Sequence, residues 1–419
     1  MLQRTVSKEG SLALTAAAVV LLAVTMGSRS VFGLFLSPLN SATGLGIATI
    51  SFAIAVSQLT SGAAQPFCGM LAERYGPARV ILAGTLLSAM TGALIPFARD
   101  AALLVTVFAV AGIAATAGSP SLLVGIVSQR VSTERRGLIA GIVGAGGPLG
   151  QLVLAPATQG LISVAGWMNA ALAVAGLSLA ALPLAFAFRR VAKAPGSTAA
   201  RPVGSLREAL ASPGYWIING TFFVCGLHVF FLITHLPGVI EICGLPAAVS
   251  GISLAVLGLF NIAGSIAAGF VVQRYSMKRT LAALYAARAL AIGLFLFAPK
   301  TELTVLAFSA WMGITYMAVL PPTAGLVGKL FGAERLPTLL GITFLVHQAG
   351  AFLGSWLGGI VLENTGSYDR MWILDLTLAG LAAVVAMCVR EGVSAEAAGS
   401  SVLPPPKRAA ARQYSAAAC

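Results

Sequence analysis

Apolar and polar positions alternate along this chain in long blocks. Twelve apolar runs, each long enough to cross a hydrocarbon core of about 30 Å as a helix, follow one another with short polar turns between them. They are Leu12 to Leu36, Gly46 to Ala72, Val80 to Phe97, Ala101 to Ser128, Gly137 to Val164 and Trp167 to Phe188. After a break come Tyr215 to Ile240, Ala247 to Val272, Leu281 to Ala298, Leu303 to Leu330, Thr338 to Leu362 and Met371 to Val389. The first run is too long for a signal-peptide core and lacks a cleavage site, so it reads as span 1. Residues 1–11 are a polar lead, and 12–188 form one six-helix half. Residues 189–213 are a basic, Pro-, Ser- and Gly-containing linker, in which LREAL predicts a short interfacial helix. Residues 214–389 form the second half, and 390–419 are an Ala-, Ser- and Pro-rich tail with the composition of disorder.

The two halves repeat each other. GMLAERYGPAR at Gly69 to Arg79 is echoed 200 positions later by GFVVQRYSMKR at Gly269 to Arg279. Gly69 answers Gly269, Arg74 answers Arg274, Tyr75 answers Tyr275 and Arg79 answers Arg279. At the same offset Gly141, Gly144 and Gly150 meet Gly341, Phe344 and Gly350, small residues at a spacing that lets helices approach closely. Duplication at a fixed offset predicts a repeated membrane unit.

Composition excludes a soluble domain. The chain is 58% hydrophobic and 9% charged, with a mean hydropathy of +0.92, whereas soluble domains carry about 25% charged residues. The net charge of +13 does not indicate nucleic-acid binding, because its placement follows topology. Threaded as twelve spans with both termini on one side, the chain leaves only Arg99, Lys300 and Arg370 in loops of the opposite side. By the positive-inside rule both termini are cytoplasmic. The five cysteines show no metal or disulfide spacing, and no cofactor or metal is expected.

The basic turn at Gly69 to Arg79 resembles the loop between helices 2 and 3 of the major facilitator superfamily, with Glu73 where that family usually carries Asp and Gln273 in the weaker second copy. The resemblance extends over residues 10 to 390. It implies an all-α membrane protein with twelve transmembrane helices in two pseudo-symmetric halves, the major facilitator fold. It also assigns a conformational gating role to Gly69, Glu73, Arg74, Gly76, Arg79, Arg274 and Arg279. SRSVFGLFLSPL, HLPGVIEICGLPAAVSG and FLVHQAGAFLGSWLGGIVLENTGSYD resemble bacterial monocarboxylate porters and oxalate/formate antiporters. Animal monocarboxylate porters carry an Asp and an Arg in span 8; this chain has Asn261 and Ser265 there, so their proton relay is not carried over. Their basic residue in span 1 has a near counterpart in Arg29, about one position away.

Ionisable residues inside a membrane are costly and face a cavity or a partner. Arg29 lies in span 1, His228 in span 7, Arg288 in span 9 and His347, beside Gln348, in span 11. His235 lies nearer the outer end of span 7. In the resembled fold spans 1, 4, 7 and 10 line the path, and 3, 6, 9 and 12 are peripheral. Arg288 therefore also reads as a structural cation held by a backbone carbonyl or by Asp375. Each of the others has an equally plain reading as a snorkelling or helix-stitching side chain. Gln151, Asn261 and Tyr316, then Ser119, Ser121, Asn219 and Thr323, are further lining candidates. Among acids only Asp375, near the outer end of span 12, falls inside a span, so the midplane is expected to hold no carboxylate.

A positive or neutral interior has no counter-charge for a cation and several for an anion. The expectation is a multi-pass carrier of the bacterial inner membrane, not an enzyme. It would work as a monomer, moving a small organic anion between the two halves with a proton or against a counter-anion. Arg29, His228 and His347 would hold the anion, with Gln348, Gln151, Asn261, Tyr316 and Arg288 as further contacts. The alternative is a proton-coupled exporter of hydrophobic drugs or metabolites.

Overall fold

The computed structural model describes residues 8–128, 136–189, 206–332, 335–389 and 391. Twelve helices among them are long and apolar enough to cross a membrane. They are spans 1 to 6 at Leu12–Thr43, Ile47–Tyr75, Pro77–Phe97, Ala101–Ser128, Leu138–Ala165 and Trp167–Phe188. Spans 7 to 12 are Pro213–Ile242, Ala247–Arg274, Met277–Phe297, Glu302–Phe331, Leu336–Thr365 and Asp369–Met387. LREAL falls in the short helix Leu206–Ala211. Residues 129–135, between spans 4 and 5, and most of the linker and tail lie outside the described residues.

Local chemistry explains where the helices bend. Span 1 tightens into a 3-10 turn at Phe32–Phe35 and resumes as Leu36–Thr43. Span 4 breaks at Thr116–Gly118 before Pro120, and span 10 breaks at Met317–Val319 before Pro321 and Pro322. Proline has no N–H to give the preceding turn, so carbonyls there are released. Span 2 ends at Gly76, whose φ of 92° is open to glycine and strained for other residues. Pro77 then starts span 3.

Large apolar side chains cover the outside, as a hydrocarbon solvent requires: Phe67, Phe97, Val164, Phe270 and Phe297 are all exposed. Inside, helices meet where side chains vanish. A Cβ on Gly150 of span 5 would collide with the carbonyl of Ala23 in span 1, and a Cβ on Gly350 of span 11 with the carbonyl of Phe223 in span 7. The same close approach thus occurs in both halves, at positions 200 apart. Gly141, Gly144 and Gly341 have no such neighbour.

The halves join along span 2 against span 11 and span 5 against span 8. The Ala48 N–H donates to Glu363 Oε2 at 2.8 Å, Ser37 Oγ to Glu241 Oε1 at 2.9 Å and Gln348 Nε2 to the Gln58 carbonyl at 3.1 Å. Phe52 meets Phe352 and Trp356 at 5.9 and 5.2 Å. Among the described residues these cross-half contacts lie at mid-depth or on the side away from the termini. On the terminal side Gly69, Gly141, Gly269 and Gly341 face open space, so the seam opens there.

The repeated basic turns are exposed. Arg74 lies over the Tyr75 ring at 5.3 Å, and among the described residues Glu73, Arg74, Arg79, Arg274 and Arg279 form no ion pair. The second turn has a fastener that the sequence reading left in the tail. The Glu391 carboxylate accepts from Ser276 Oγ at 2.7 Å and from the Lys278 N–H at 2.6 Å, capping the start of span 9. Partial burial by itself would raise this carboxyl. The Lys278 N–H, the Ser276 hydroxyl and the charges of Lys329 and Lys278 outweigh it and hold the group below the usual carboxylate range.

Two outcomes are expected in detergent melting experiments. Gly350→Val overpacks the span 7 contact and lowers stability by about 1–3 kcal/mol, while Gly341→Ala leaves it unchanged. Glu391→Gln lowers the melting temperature at neutral pH. A depressed folded-state pKa stabilises above the unfolded value and is lost as pH falls through the folded one, so the difference from wild type shrinks to nothing on acidification below the ordinary carboxylate range.

Candidate functional site: a polar seam and a closed ionic chamber

Arg29 sits one turn before the tightened end of span 1 and reaches sideways to span 2. Its Nη1 donates to Ser61 Oγ at 3.0 Å and its Nη2 to Gln58 Oε1. Among the described residues no carboxylate answers it. Gln58, buried on the face of span 2 that meets span 11, passes the connection across the seam through its backbone carbonyl to Gln348. Gln348 Oε1 accepts from His347 Nδ1 at 3.2 Å, which leaves His347 Nε2 as the free nitrogen, buried and without a partner. The His347 ring lies against Phe222 at 4.7 Å and Phe230 at 6.3 Å. Spans 1, 2 and 11 therefore assemble Arg29, Ser61, Gln58, Gln348 and His347 into one polar file across the two halves.

His228 does not join it. The reading that placed it with Arg29 and His347 is corrected by helix rotation: its side chain points into the C-terminal half, where Nε2 lies 3.7 Å from Asp375 Oδ1. Arg288, fully buried, completes this second cluster. Its Nε donates to Thr315 Oγ1 at 3.3 Å, and its Nη2 to the carbonyls of Thr315 and of Tyr316, the latter at 2.6 Å. These carbonyls lie just before the break in span 10, so the structural-cation reading of Arg288 has its geometric basis there. Asp375, the one acid that the sequence places inside a span, is buried, only 1% exposed, beside His228. Distance in the sequence hid the pairing of span 7 with spans 9 and 12.

The remaining candidates divide. Gln151 stands at the contact of spans 5 and 8, buried with Nε2 unpartnered. Asn261 Oδ1 accepts from the Met317 N–H at 3.2 Å and from Ser265 Oγ at 3.3 Å, tying span 8 to the break in span 10. Tyr316 contributes its carbonyl to Arg288. Asn219 and Thr323 are buried, each with an unpartnered oxygen, and Ser119 bonds Ser121 at 3.0 Å. His235 is spoken for by Tyr368 and the Ser355 carbonyl. The sequence reading missed Gln58 and Ser61. Their signal was present: a glutamine and a serine three residues apart, hence on one face, within an apolar run.

Behind Arg29 lies a cavity of about 60 Å³ between spans 1, 3, 4 and 6, bordered by the hydroxyl-bearing Thr25, Ser28, Thr85, Ser88 and Ser178. Ser28 Oγ is buried and unpartnered.

Two repeated six-helix halves that meet along a polar seam, closed on one side and open on the other, define a membrane carrier. The chain belongs to the Major Facilitator Superfamily, whose model matches residues 18–303 and 259–416. It is 23% identical over 376 residues to the oxalate:formate antiporter of Oxalobacter formigenes, a match that covers 86% of this chain and 87% of that protein. It is 24% identical over 367 residues to monocarboxylate transporter 13 of Rattus norvegicus, covering 84% and 82%. A bacterial homolog of the human lysosomal transporter Spinster, solved in an inward-facing and occupied conformation, superposes with a TM-score of 0.74 at 13% identity, over 92% of this chain and 97% of that one. The protein is a transporter and not an enzyme.

The Arg29 contacts predict a pair of opposed stability changes. Gln58→Leu removes the acceptor from a confined guanidinium and destabilises by about 1–3 kcal/mol. Gln58→Glu supplies a counter-charge and keeps or raises the melting temperature. Thermal denaturation of the two variants side by side checks this.

Proposed function

We propose that this transporter carries a small organic anion, a carboxylate, by alternating access of a site between its halves. The observation that carries the reading is Arg29: a guanidinium at the seam, held by the neutral acceptors Gln58 and Ser61 and lacking an acidic partner among the described residues. Its positive charge is left for a ligand. A carboxylate displaces Gln58 Oε1 from a fork that suits it better, and His347 Nε2, Gln348 and Gln151 offer further polar contacts from the facing surfaces. The oxalate:formate antiporter and the monocarboxylate transporter, by their names, handle substrates of this class.

Both termini lie in the cytoplasm of a bacterial inner membrane in this reading, so the seam is open inward. The basic turns at Gly69, Glu73, Arg74, Gly76 and Arg79, and at Arg274 and Arg279, then hold the opposite state. Their charges stand free while that face is open and engage when it closes. The carrier works as a monomer. Coupling to a proton and exchange against a second anion are both compatible with the charge of the site.

One observation favours a second reading. A proton-driven exporter of hydrophobic compounds needs a buried acid, and Asp375 is one. Sensitisation of a deletion strain to apolar drugs, with no effect on carboxylate uptake, would select it.

The first reading is tested with the purified chain in proteoliposomes. Labelled oxalate, formate and lactate are offered with and without an imposed pH gradient, and with and without internal anion for counterflow. Wild type moves at least one of them, and Arg29→Ala raises the KM roughly 10- to 100-fold, the loss of a charge-assisted bond. No uptake or counterflow of any carboxylate rejects the reading.

A further inference from the structure

Each half contains a chamber at the same place, and the two are built differently. In the N-terminal half Thr25, Ser28, Thr85, Ser88 and Ala175 border the open cavity behind Arg29. The positions 200 further on are Cys225, His228, Tyr285, Arg288 and Asp375. All five are buried and gather between spans 7, 9 and 12. Hydroxyls, a methyl group and empty space in one half are replaced in the other by a histidine, an aspartate, an arginine, a tyrosine and a thiol.

The fold does not need the charged set. Span 4 breaks at Thr116–Gly118 just as span 10 breaks at Met317–Val319, and the first break stands with no arginine on its carbonyls. Buried ion clusters add little net stability, and apolar replacements are often neutral or better. A set of ionisable groups retained where its repeat manages without one points to use rather than packing.

The geometry is that of a proton-holding pair. His228 Nε2 and Asp375 Oδ1 are 3.7 Å apart, too far for a hydrogen bond, and neither atom has another partner. His228 Nδ1 has none either. The titratable and charged neighbours are Cys225 on span 7, Tyr285 and Arg288 on span 9, Tyr316 on span 10 and, beyond Cys225, His347 on span 11. Arg288 alone carries a fixed charge, with its Nη1 unpartnered.

We propose that His228 and Asp375 form the proton-binding site of this carrier, separate from the anion site around Arg29. The proposal rests on the anion-carrier reading and adds the site of its coupling ion. Empty, the pair is a carboxylate beside a neutral imidazole, and with Arg288 the chamber sums to zero charge. Loaded, it has taken one proton from water between Oδ1 and Nε2, closes to a hydrogen bond and carries one net positive charge. That charge favours an anion at the seam, and Cys225, which donates to the Tyr316 carbonyl that Arg288 also binds, lies between Arg288 and His347. When the halves rock, the anion leaves and the proton returns to water on the other face, one for one.

Wild type, Asp375→Asn and His228→Gln are compared in proteoliposomes for accumulation driven by a pH gradient and for anion counterflow without one. The variants are expected to lose gradient-driven accumulation by about tenfold or more while keeping counterflow within about twofold, which also shows that they fold. Unchanged accumulation in both variants overturns the proposal. So does loss of counterflow in monodisperse variants, since the pair then serves the anion path itself. Infrared difference spectra of the purified chain across pH provide a readout that needs no substrate: a pH-dependent carboxyl or imidazole band present in wild type and lost in both Asp375→Asn and His228→Gln supports the pair, and its absence from wild type overturns it. If carboxylates exchange but neither a gradient response nor the band appears, the proton site fails and the anion reading stands. If no carboxylate moves, the anion reading fails and the band alone decides the proton site.

Discussion

The cost of placing a guanidinium in hydrocarbon governs the interior of this protein. A cation there must find acceptors, and the chain solves the problem twice by different means. Arg288 is held by backbone carbonyls at the break in span 10. Arg29 is held by side-chain oxygens of Gln58 and Ser61 on the neighbouring helix. Backbone carbonyls at a break are part of the helix's own course and cannot be exchanged cheaply. A glutamine side chain can rotate away, so the proposed anion site falls on the charge at the seam and not on Arg288.

The duplicated architecture supplies an internal control. The notch of Gly150 on span 1 recurs as the notch of Gly350 on span 7, and the bends of spans 4 and 10 recur at equivalent positions. Backbone geometry was kept through the duplication while the contents of the two chambers diverged. The C-terminal half filled its chamber with aromatic and ionisable groups, and Phe295, Phe308 and Trp372 pack beside it with ring centroids 4.2 to 5.5 Å apart. The N-terminal half kept small hydroxyl side chains and a void. A half that is densely packed around fixed charges is thus set against one that is looser, and in the proposed alternating access the first is the firmer body.

The seam is asymmetric across its depth in the same physical sense. On the side away from the termini, carboxylates of Glu363 and Glu241 accept from the opposite half, and aromatic rings interlock. On the terminal side the exposed arginines of the repeated turns repel one another unless an acid or a helix end answers them. Among the described residues Glu73 forms no ion pair, and the proposed gating role has it answer these charges when that face closes. The open face is thus the one rich in like charge, and the closed face the one joined by charge-assisted bonds.

Twelve spans, two halves, the repeat offset and the positions of Arg29, His347 and Gln348 were legible in the amino-acid order, because hydrophobic length and the penalty on buried charge are local properties of a chain. Which polar side chains meet was not. His228 was grouped with Arg29 because both lie on path-lining spans, yet a helix shows each residue to one neighbour only, and rotation turned His228 toward Asp375, 147 positions away. Gln58 looked like one polar residue in an apolar run until span 2 was laid against span 11. Composition and periodicity determine that a helix spans and what it can afford to bury; the pairing of charges depends on the relative rotation of helices far apart in the chain, which only tertiary packing sets.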